Sequence, residues 1–288
     1  MASASVGSVG RIVSVHGLRF TSPAWVGRAH SRVLALAADR VVCVSEAVRN
    51  VFQRWGFPEH KLTIIRSSVD LLRFRSHVSG AAFRREIGVP PHVPLVGTVG
   101  SVDERKGLVY FLDACARLRE QYPSAHFVIV GHGDGDGSDV QSQYVRQLRV
   151  RASALALDGR LSFVAARDDV PEVMAALDVL VQPSLTEAGP LAPLEAMAMA
   201  RPVVGTRVEG TAEEVVDGET GLLVEPRDGL ALAGAIAMLL EDPQRRARMG
   251  REGQARVNRL YTLTTSANLI ERVYQDVTAG VETRIEHA

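Results

Sequence analysis

The chain has 288 residues, of which 46% are apolar and 23% charged, with 25 glycines and 13 prolines. This is the composition of a globular protein of about two domains, and it excludes collagen-like, coiled-coil and disordered chains. Lys and Arg together number 33, as do Asp and Glu, so the formal net charge is zero. A chain balanced in this way has no global field for holding DNA, RNA or anionic lipid, so no nucleic-acid partner is expected.

Cysteines and apolar runs indicate the compartment. Cys43 and Cys115 lie in apolar surroundings without metal-ligand spacing, which favours buried thiols in a reducing compartment. No apolar run approaches the roughly 20 residues of a membrane helix. The first ten residues lack the apolar core of a signal peptide. We therefore expect a cytoplasmic protein.

Short strands and helices alternate in the first part of the chain. Apolar β-branched runs predict strands, and apolar residues at helical spacing predict helices. The predicted elements are strand 12–15, helix 24–39, strand 41–44, helix 46–55, strand 62–65 and helix 81–87. Pro90 and Pro91 then mark a boundary.

The second part of the chain is more regular. Its predicted strands are 95–98, 126–130, 161–164, 179–182 and 203–205, and its predicted helices are 108–121, 140–155, 170–176 and 191–200. Three further helices are predicted at 229–240, 243–260 and 264–277. Alternating elements with continuously apolar strands predict an α/β fold with a parallel sheet covered on both faces.

The first part is short for a domain of this class. It has three short strands within its first 65 residues, whereas such a domain usually needs about 100–150 residues. We therefore expect an incomplete first domain, as though the chain began in its second half. A sheet this small leaves an open edge, so self-association through this part is also expected.

The segment from Pro183 to Ala198 carries the strongest functional signal. Glu187 follows a predicted strand, and Glu195 lies eight residues later in the next helix. Loops at the carboxyl edge of a parallel sheet line the ligand crevice, and a helix that begins there suits a phosphate. A carboxylate also accepts paired hydrogen bonds from a ribose diol. Taken singly, each glutamate is equally compatible with a solvated surface acid.

This segment resembles the E-x7-E motif of the family 4 glycosyltransferases, which have the GT-B fold. The resemblance covers nearly the whole chain and starts partway through the family's first domain. Its other segments are 38–48, 61–70 (with Ser67-Ser68 in place of Asn-Gly), 100–107, 129–133, 201–206 and 216–224.

The resemblance implies two facing Rossmann-like domains, the first incomplete. Residues 1–75 match the acceptor-side domain and residues 76–260 the nucleotide-sugar-binding domain. Residues 261–288 match a C-terminal helix that packs back on the first domain.

The family's activity is the retaining transfer of a sugar from a nucleotide-diphosphate sugar. By matching position, the resemblance assigns the diphosphate to Lys106, the ribose to Glu195 and the donor sugar to Glu187. Read without the family, Lys106 is an ordinary solvated lysine.

The resemblance assigns two further contacts. The backbone at Gly189, Pro190 and Leu191 would cap the β-phosphate. His16 would face the sugar and phosphate from the first domain, although a plain turn histidine is the alternative.

One position departs from the family pattern. Ser101 stands where the family has an arginine that grips the diphosphate together with the lysine. A serine cannot make the bidentate phosphate contacts of an arginine, so weaker donor binding is expected unless Arg105 substitutes.

Other sites are disfavoured. Asp134 and Asp136 mimic the D-x-D metal motif of the other glycosyltransferase fold, but they sit in a glycine-rich turn without a third ligand nearby. Their spacing also fails a calcium loop, so a solvated loop is expected. The chain has neither G-x-G-x-x-G after its first strand nor G-x-x-x-x-G-K-[ST], which disfavours a dinucleotide enzyme or an NTPase.

We therefore expect a retaining glycosyltransferase that takes sugar from a UDP- or GDP-sugar, with no cofactor and no metal required. The expected acceptor is a glycan, a lipid-linked molecule or a small molecule, with peripheral contact at the inner face of a membrane. The alternative is a non-catalytic nucleotide-sugar-binding remnant of such an enzyme.

Overall fold

A computed structural model describes residues 10–17, 24–132 and 140–286. The chain divides into two compact units, one formed by Met1–Ser68 with Tyr261–Ala288 and the other by Val69–Leu260. The N-terminal segment of the first unit ends at Ser68, whereas the sequence analysis placed the domain boundary at residue 75.

The first unit contains a parallel three-stranded sheet in the order β1-β2-β3. Its first elements are β1 (Ile12–Val15), α1 (Ala24–Ala37), β2 (Arg40–Cys43), α2 (Glu46–Arg54), a 3-10 turn (Glu59–Lys61) and β3 (Leu62–Ile64). Ser45 is the N-cap of α2, and its hydroxyl accepts a hydrogen bond from Val48 N at 3.2 Å.

The second unit is built around a six-stranded sheet in which every pair of neighbouring strands is parallel. Its elements up to the third strand are α3 (Ala81–Glu86), β4 (Leu95–Val99), a 3-10 turn (Glu104–Lys106), α4 (Leu108–Gln121), β5 (His126–His132), α5 (Val140–Ala154) and β6 (Leu161–Ala165). The remaining elements are α6 (Val170–Ala176), β7 (Val179–Gln182), α7 (Leu191–Ala198), β8 (Val203–Thr206), α8 (Glu209–Glu214), β9 (Gly221–Val224), α9 (Gly229–Glu241) and α10 (Pro243–Leu260).

Helices cover both faces of this sheet, as the continuously apolar strands predict. Helices α4, α5 and α9 pack together on one face, and α3, α6, α7 and α10 lie in contact on the other. The core against the first group includes Phe111, Phe127, Ile129 and Ile236, all fully buried. Burying apolar area at about 25 cal/mol per Å² is the main source of stability for such a layered unit.

The strand order is β6-β5-β4-β7-β8-β9. The chain therefore moves outward from β4 in one direction and then starts again at β7 in the other. In open parallel sheets the ligand crevice lies at this reversal, outside the carboxyl ends of the two central strands. The loops after β4 and β7 hold that position here.

Two elements are missing from the sequence-based list. Helix α8 and strand β9 lie between the predicted strand at 203–205 and the predicted helix at 229. Both are short, with six and four residues. Helix α8 also contains three glutamates, so its buried face does not show the apolar spacing by which helices were predicted. The predicted helix 191–200 also ends earlier, at Ala198, because Ala200 takes a left-handed φ of 55°.

The final helix, α11 (Leu263–Glu286), returns to the first unit and is longer than the predicted 264–277. Its Val273 is buried in one cluster with Val42 of β2 and Ile65, just after β3. Within the part of the chain that the structure describes, no helix is long and apolar enough to cross a membrane.

The two central loops of the second unit approach each other closely at Gly107, which precedes α4 and has a left-handed φ of 61°. A side-chain carbon at this position would lie 2.1 Å from Pro183 O. Only a residue without a Cβ fits both the backbone angle and this approach.

We expect Gly107→Ala to lower the free energy of unfolding by more than Gly218→Ala. Gly218 also has a left-handed φ, of 78°, but nothing lies within 4 Å of the added carbon. Gly218→Ala should therefore cost only the backbone strain, about 1–2 kcal/mol, and Gly107→Ala about 2 kcal/mol more because the loop after β7 must move. Urea unfolding of both variants measures the difference, and equal losses would contradict the close approach.

Candidate functional site

The candidate site lies at the carboxyl ends of β4 and β7. Asp103 caps the 3-10 turn after β4 by accepting a hydrogen bond from Arg105 N at 3.0 Å. Arg105 O in turn accepts a hydrogen bond of 2.7 Å from Leu185 N in the loop after β7. The backbones of the two loops are thus joined at Arg105, and this fixes the backbone position of the next residue, Lys106.

Lys106 and Glu187 form an ion pair between these loops. Lys106 Nζ lies 2.6 Å from Glu187 Oε1, and the two side chains are only 21% and 11% exposed. Gln182 Nε2 and Ser184 Oγ also donate to the same oxygen, each at 2.7 Å. Three donors, one of them charged, hold the carboxylate in place, as a partly buried charge requires.

The donors of this cluster are themselves ordered. Gln182 Nε2 gives a second hydrogen bond to Ser184 Oγ at 2.9 Å, so the serine accepts from the amide and donates to the carboxylate. Both residues are buried. Gln182 is the last residue of β7, and its polar side chain after three apolar residues is a signal that sequence analysis passed over.

The neighbouring segment after β8 supports the loop that carries Glu187. Thr206 Oγ1 donates to Ser184 O at 2.5 Å, and Gly210 N donates to Glu187 O at 3.0 Å. A side-chain carbon at Gly210 would lie 2.6 Å from Ala188 O. The first turn of α8 is therefore seated directly against the backbone of residues 187–189.

Helix α7 begins immediately after this loop, with Pro190 as its N-cap. The first N–H groups of a helix have no partner within it, and they carry the positive end of its dipole. Here those groups belong to Leu191 and Ala192, since Pro193 has none, and Leu191 is 49% exposed. The first turn of α7 therefore offers the N–H groups of Leu191 and Ala192 to an anion.

Glu195 lies in the second turn of α7 and is partly buried. Burial raises the pKa of its carboxyl group, and the nearby positive charge of Arg73 opposes that rise. Arg73 is itself held by a hydrogen bond from Nη2 to Asp168 O at 2.9 Å. Sequence analysis missed Arg73, which lies in an irregular stretch between predicted elements.

Ser101 and Arg105 both turn toward Asp103. Ser101 Oγ donates to Asp103 Oδ2 at 2.9 Å, and Arg105 Nη2 lies 3.0 Å from the same oxygen. Arg105 is 68% exposed, so this pair is weak and its guanidinium can change partner. A cavity of about 420 Å³ adjoins Ser101, between the loop after β4 and α5, and Tyr144 lines its far side.

His16 lies in the first unit, just after β1, with Nε2 2.9 Å from Ser14 Oγ. Asp134 and Asp136 lie outside the described residues. Among the residues that the structure does describe, no His, Cys, Asp and Glu side chains are grouped so that they could hold a metal ion.

The chain contains 31 arginines but only two lysines, Lys61 and Lys106. Lys61 Nζ donates to Ala35 O and Ala38 O at 2.8 and 2.9 Å in the first unit. Lys106 is thus the single lysine of the second unit, and its ammonium group pairs with Glu187.

Two family profiles match this chain. Residues 81–256 match the family described as glycosyl transferases group 1, and residues 2–73 match the one described as glycosyltransferase family 4.

Curated relatives match over part of their length. A D-inositol 3-phosphate glycosyltransferase from Corynebacterium efficiens is 33% identical over 199 residues, 68% of this chain and 46% of that protein. A lipopolysaccharide core biosynthesis mannosyltransferase, LpsB, from Rhizobium meliloti is 30% identical over 217 residues, 75% of this chain and 61% of that protein. This chain therefore spans roughly half the length of such relatives.

Solved structures share the fold. A sucrose-phosphate synthase from Thermosynechococcus elongatus matches with a TM-score of 0.82 and 27% identity, over 93% of this chain and 68% of that one. HepE from Anabaena, solved with UDP and glucose, matches with a TM-score of 0.84 and 24% identity, over 93% of this chain and 72% of that one. The predicted α/β fold of GT-B type is confirmed, and with residues 81–256 matched to its profile this chain belongs to the group 1 glycosyl transferases.

Proposed function

We propose that this protein transfers a sugar, with retention, from a nucleoside-diphosphate sugar to a hydroxyl acceptor. The observation that carries the proposal is the Lys106–Glu187 pair at the reversal of the strand order, beside the first turn of α7. A cation and helix N–H groups at this point suit a diphosphate, and a fixed carboxylate suits sugar hydroxyls.

Lys106 is assigned to the diphosphate. When it turns from Glu187 toward a phosphate oxygen, Glu187 Oε1 still accepts from Gln182 and Ser184. The carboxylate therefore keeps two donors after the lysine moves, so the exchange does not leave a buried charge without partners. The N–H groups of Leu191 and Ala192 complete the phosphate site, and together these groups stabilise the leaving diphosphate.

Glu195 and Glu187 are assigned to the two sugars of the donor. Glu195 follows the phosphate-binding turn by one helical turn and is placed to accept hydrogen bonds from a ribose diol. Glu187 is assigned to the hydroxyls of the transferred sugar, since Gln182 and Ser184 hold its Oε1 in place and the group is fixed rather than poised for attack. His16 remains the proposed contact from the first unit.

The proposed reaction needs neither a metal nor a protein nucleophile. The bond between the anomeric carbon and the β-phosphate oxygen breaks, and the acceptor oxygen bonds to the same face of that carbon. The acceptor proton passes to an oxygen of the departing diphosphate. Because the leaving group serves as the base, the protein's contribution is charge stabilisation and orientation.

A nucleoside-diphosphate sugar should stabilise the protein against heat, while NAD and ATP should not. A ligand at 100 times its Kd adds about 2.7 kcal/mol to the free energy of unfolding. Thermal unfolding with UDP-, GDP- and ADP-sugars in turn measures the shift, beginning with UDP because the Anabaena neighbour was solved with it. If none of these donors shifts the Tm, the donor-site proposal is wrong, and binding without transfer supports the non-catalytic alternative.

Lys106→Ala and Glu195→Ala should each weaken nucleotide binding, but with different salt dependence. Loss of the ribose hydrogen bonds should cost about 1–3 kcal/mol at any ionic strength, whereas the loss at Lys106 should shrink as salt is added. Calorimetric titration with UDP measures both, with Glu252→Ala, on the exposed face of α10, as the control. Parent-like binding by both site variants would place the pocket elsewhere.

The two lysines allow a test without mutation. UDP should protect Lys106 from acetylation by acetic anhydride, because the phosphate covers its amine. Lys61, in the other unit, should react at an unchanged rate. Peptide mass spectrometry gives both rates in one sample, and equal effects on the two lysines would argue against a phosphate at Lys106.

A further inference from the structure

Glu214 is a buried carboxylic acid that the proposed reaction does not use. It is the last residue of α8 and is only 4% exposed. Among the residues described, Glu214 Oε2 finds no hydrogen-bond partner. An ionised carboxylate left in this state would be costly, because nothing replaces the water it has lost.

Charged groups surround Glu214 from several elements. Burial, followed by the negative charge of Glu187 after β7 and that of Glu213 on α8, raises the pKa of Glu214 well above its ordinary value. Arg256 of α10 and Lys106 after β4 act in the opposite direction and more weakly. Arg256 Nε donates to Glu214 O and Arg256 Nη2 to Glu213 O, both at 2.9 Å.

The position of Glu214 is coupled to the donor site through α8. The first turn of this helix donates from Gly210 N to Glu187 O at 3.0 Å, and Gly210 leaves no room for a side chain against Ala188. Gly210 and Glu214 are four residues apart and so lie on the same face of the helix. Helix α8 therefore presents Gly210 and Glu214 on one face, and the charge of Glu187 reaches Glu214.

We propose that Glu214 is a positioning residue of the donor site, whose carboxyl group must stay uncharged for a nucleoside diphosphate to bind. This inference rests on the proposed function. With Glu214 neutral, the charges of Lys106 and Glu187 cancel. The N–H groups at the start of α7 then make the local electrostatic potential positive. With Glu214 ionised, the same cluster carries a net negative charge beside the site for an anion.

The coupling predicts that diphosphate binding takes up a proton. As the pH rises and Glu214 ionises, UDP must bind to a site with one more negative charge, so affinity falls unless a proton returns to Glu214. One pKa unit of coupling corresponds to a tenfold change in Kd. We expect the Kd for UDP to rise in the parent protein as the pH increases from weakly acidic to weakly alkaline.

The experiment is calorimetric titration with UDP over this pH range, in buffers of different ionisation enthalpy, so that proton uptake is measured directly. Glu214→Gln and Glu214→Leu both remove the ionisable group. Glu209→Gln, on the exposed face of α8, is the control. Both Glu214 variants should show a nearly flat Kd and no proton uptake from this group, while the control should follow the parent.

Thermal unfolding supplies a second readout. A carboxyl group whose pKa is raised on folding holds more protons in the folded state, so its contribution to stability falls as pH rises above about 4.5. Glu214→Gln should therefore gain Tm relative to the parent as pH increases. If the two Glu214 variants bind UDP with the same pH dependence as the parent, the proposed role of Glu214 is wrong, while the proposed function is unaffected. If the parent does not bind UDP at any pH, the proposed function fails first and this inference fails with it.

Discussion

The ion pair between Lys106 and Glu187 is the interaction around which the candidate site is arranged. It joins the loops after β4 and β7, the two strands at which the sheet reverses its order. A pair this well shielded from water is stable only when its remaining oxygens and protons are satisfied. Gln182 and Ser184 both donate to the oxygen that pairs with Lys106, and this role accounts for a buried polar side chain at the end of the otherwise apolar strand β7.

Burial also determines the electrostatic character of the site. Glu187 Oε1 accepts hydrogen bonds from three donors, Glu195 is only partly shielded, and Glu214 is fully enclosed without a hydrogen bond at Oε2. Three glutamate side chains, in the loop after β7, in α7 and in α8, thus occupy three different environments. Burial raises the pKa of Glu195 and of Glu214, and the charges around each carboxyl group differ.

The sequence predicted much of the fold because the strands of a parallel sheet are continuous apolar runs and its helices are long. The resemblance to a known family singled out Glu187, Glu195 and Lys106 as site residues, and the structure brings Lys106 and Glu187 together as an ion pair. It could not predict the burial of Glu214, since Glu213 and Glu214 are adjacent and identical and only the packing of α8 distinguishes them. Arg73 escaped for a similar reason, because Asp168 and Glu195 are brought near it only by folding.

The hydrogen bond from Leu185 N to Arg105 O has a consequence for how the site opens. The same two loops meet at Gly107 and Pro183, so neither can move far without the other. The amide hydrogen of Leu185 can exchange with solvent only when the loops separate. That separation disturbs the carboxyl ends of the two central strands, β4 and β7. Opening either loop must therefore break this hydrogen bond and the close contact at Gly107, so we expect the two loops to open together.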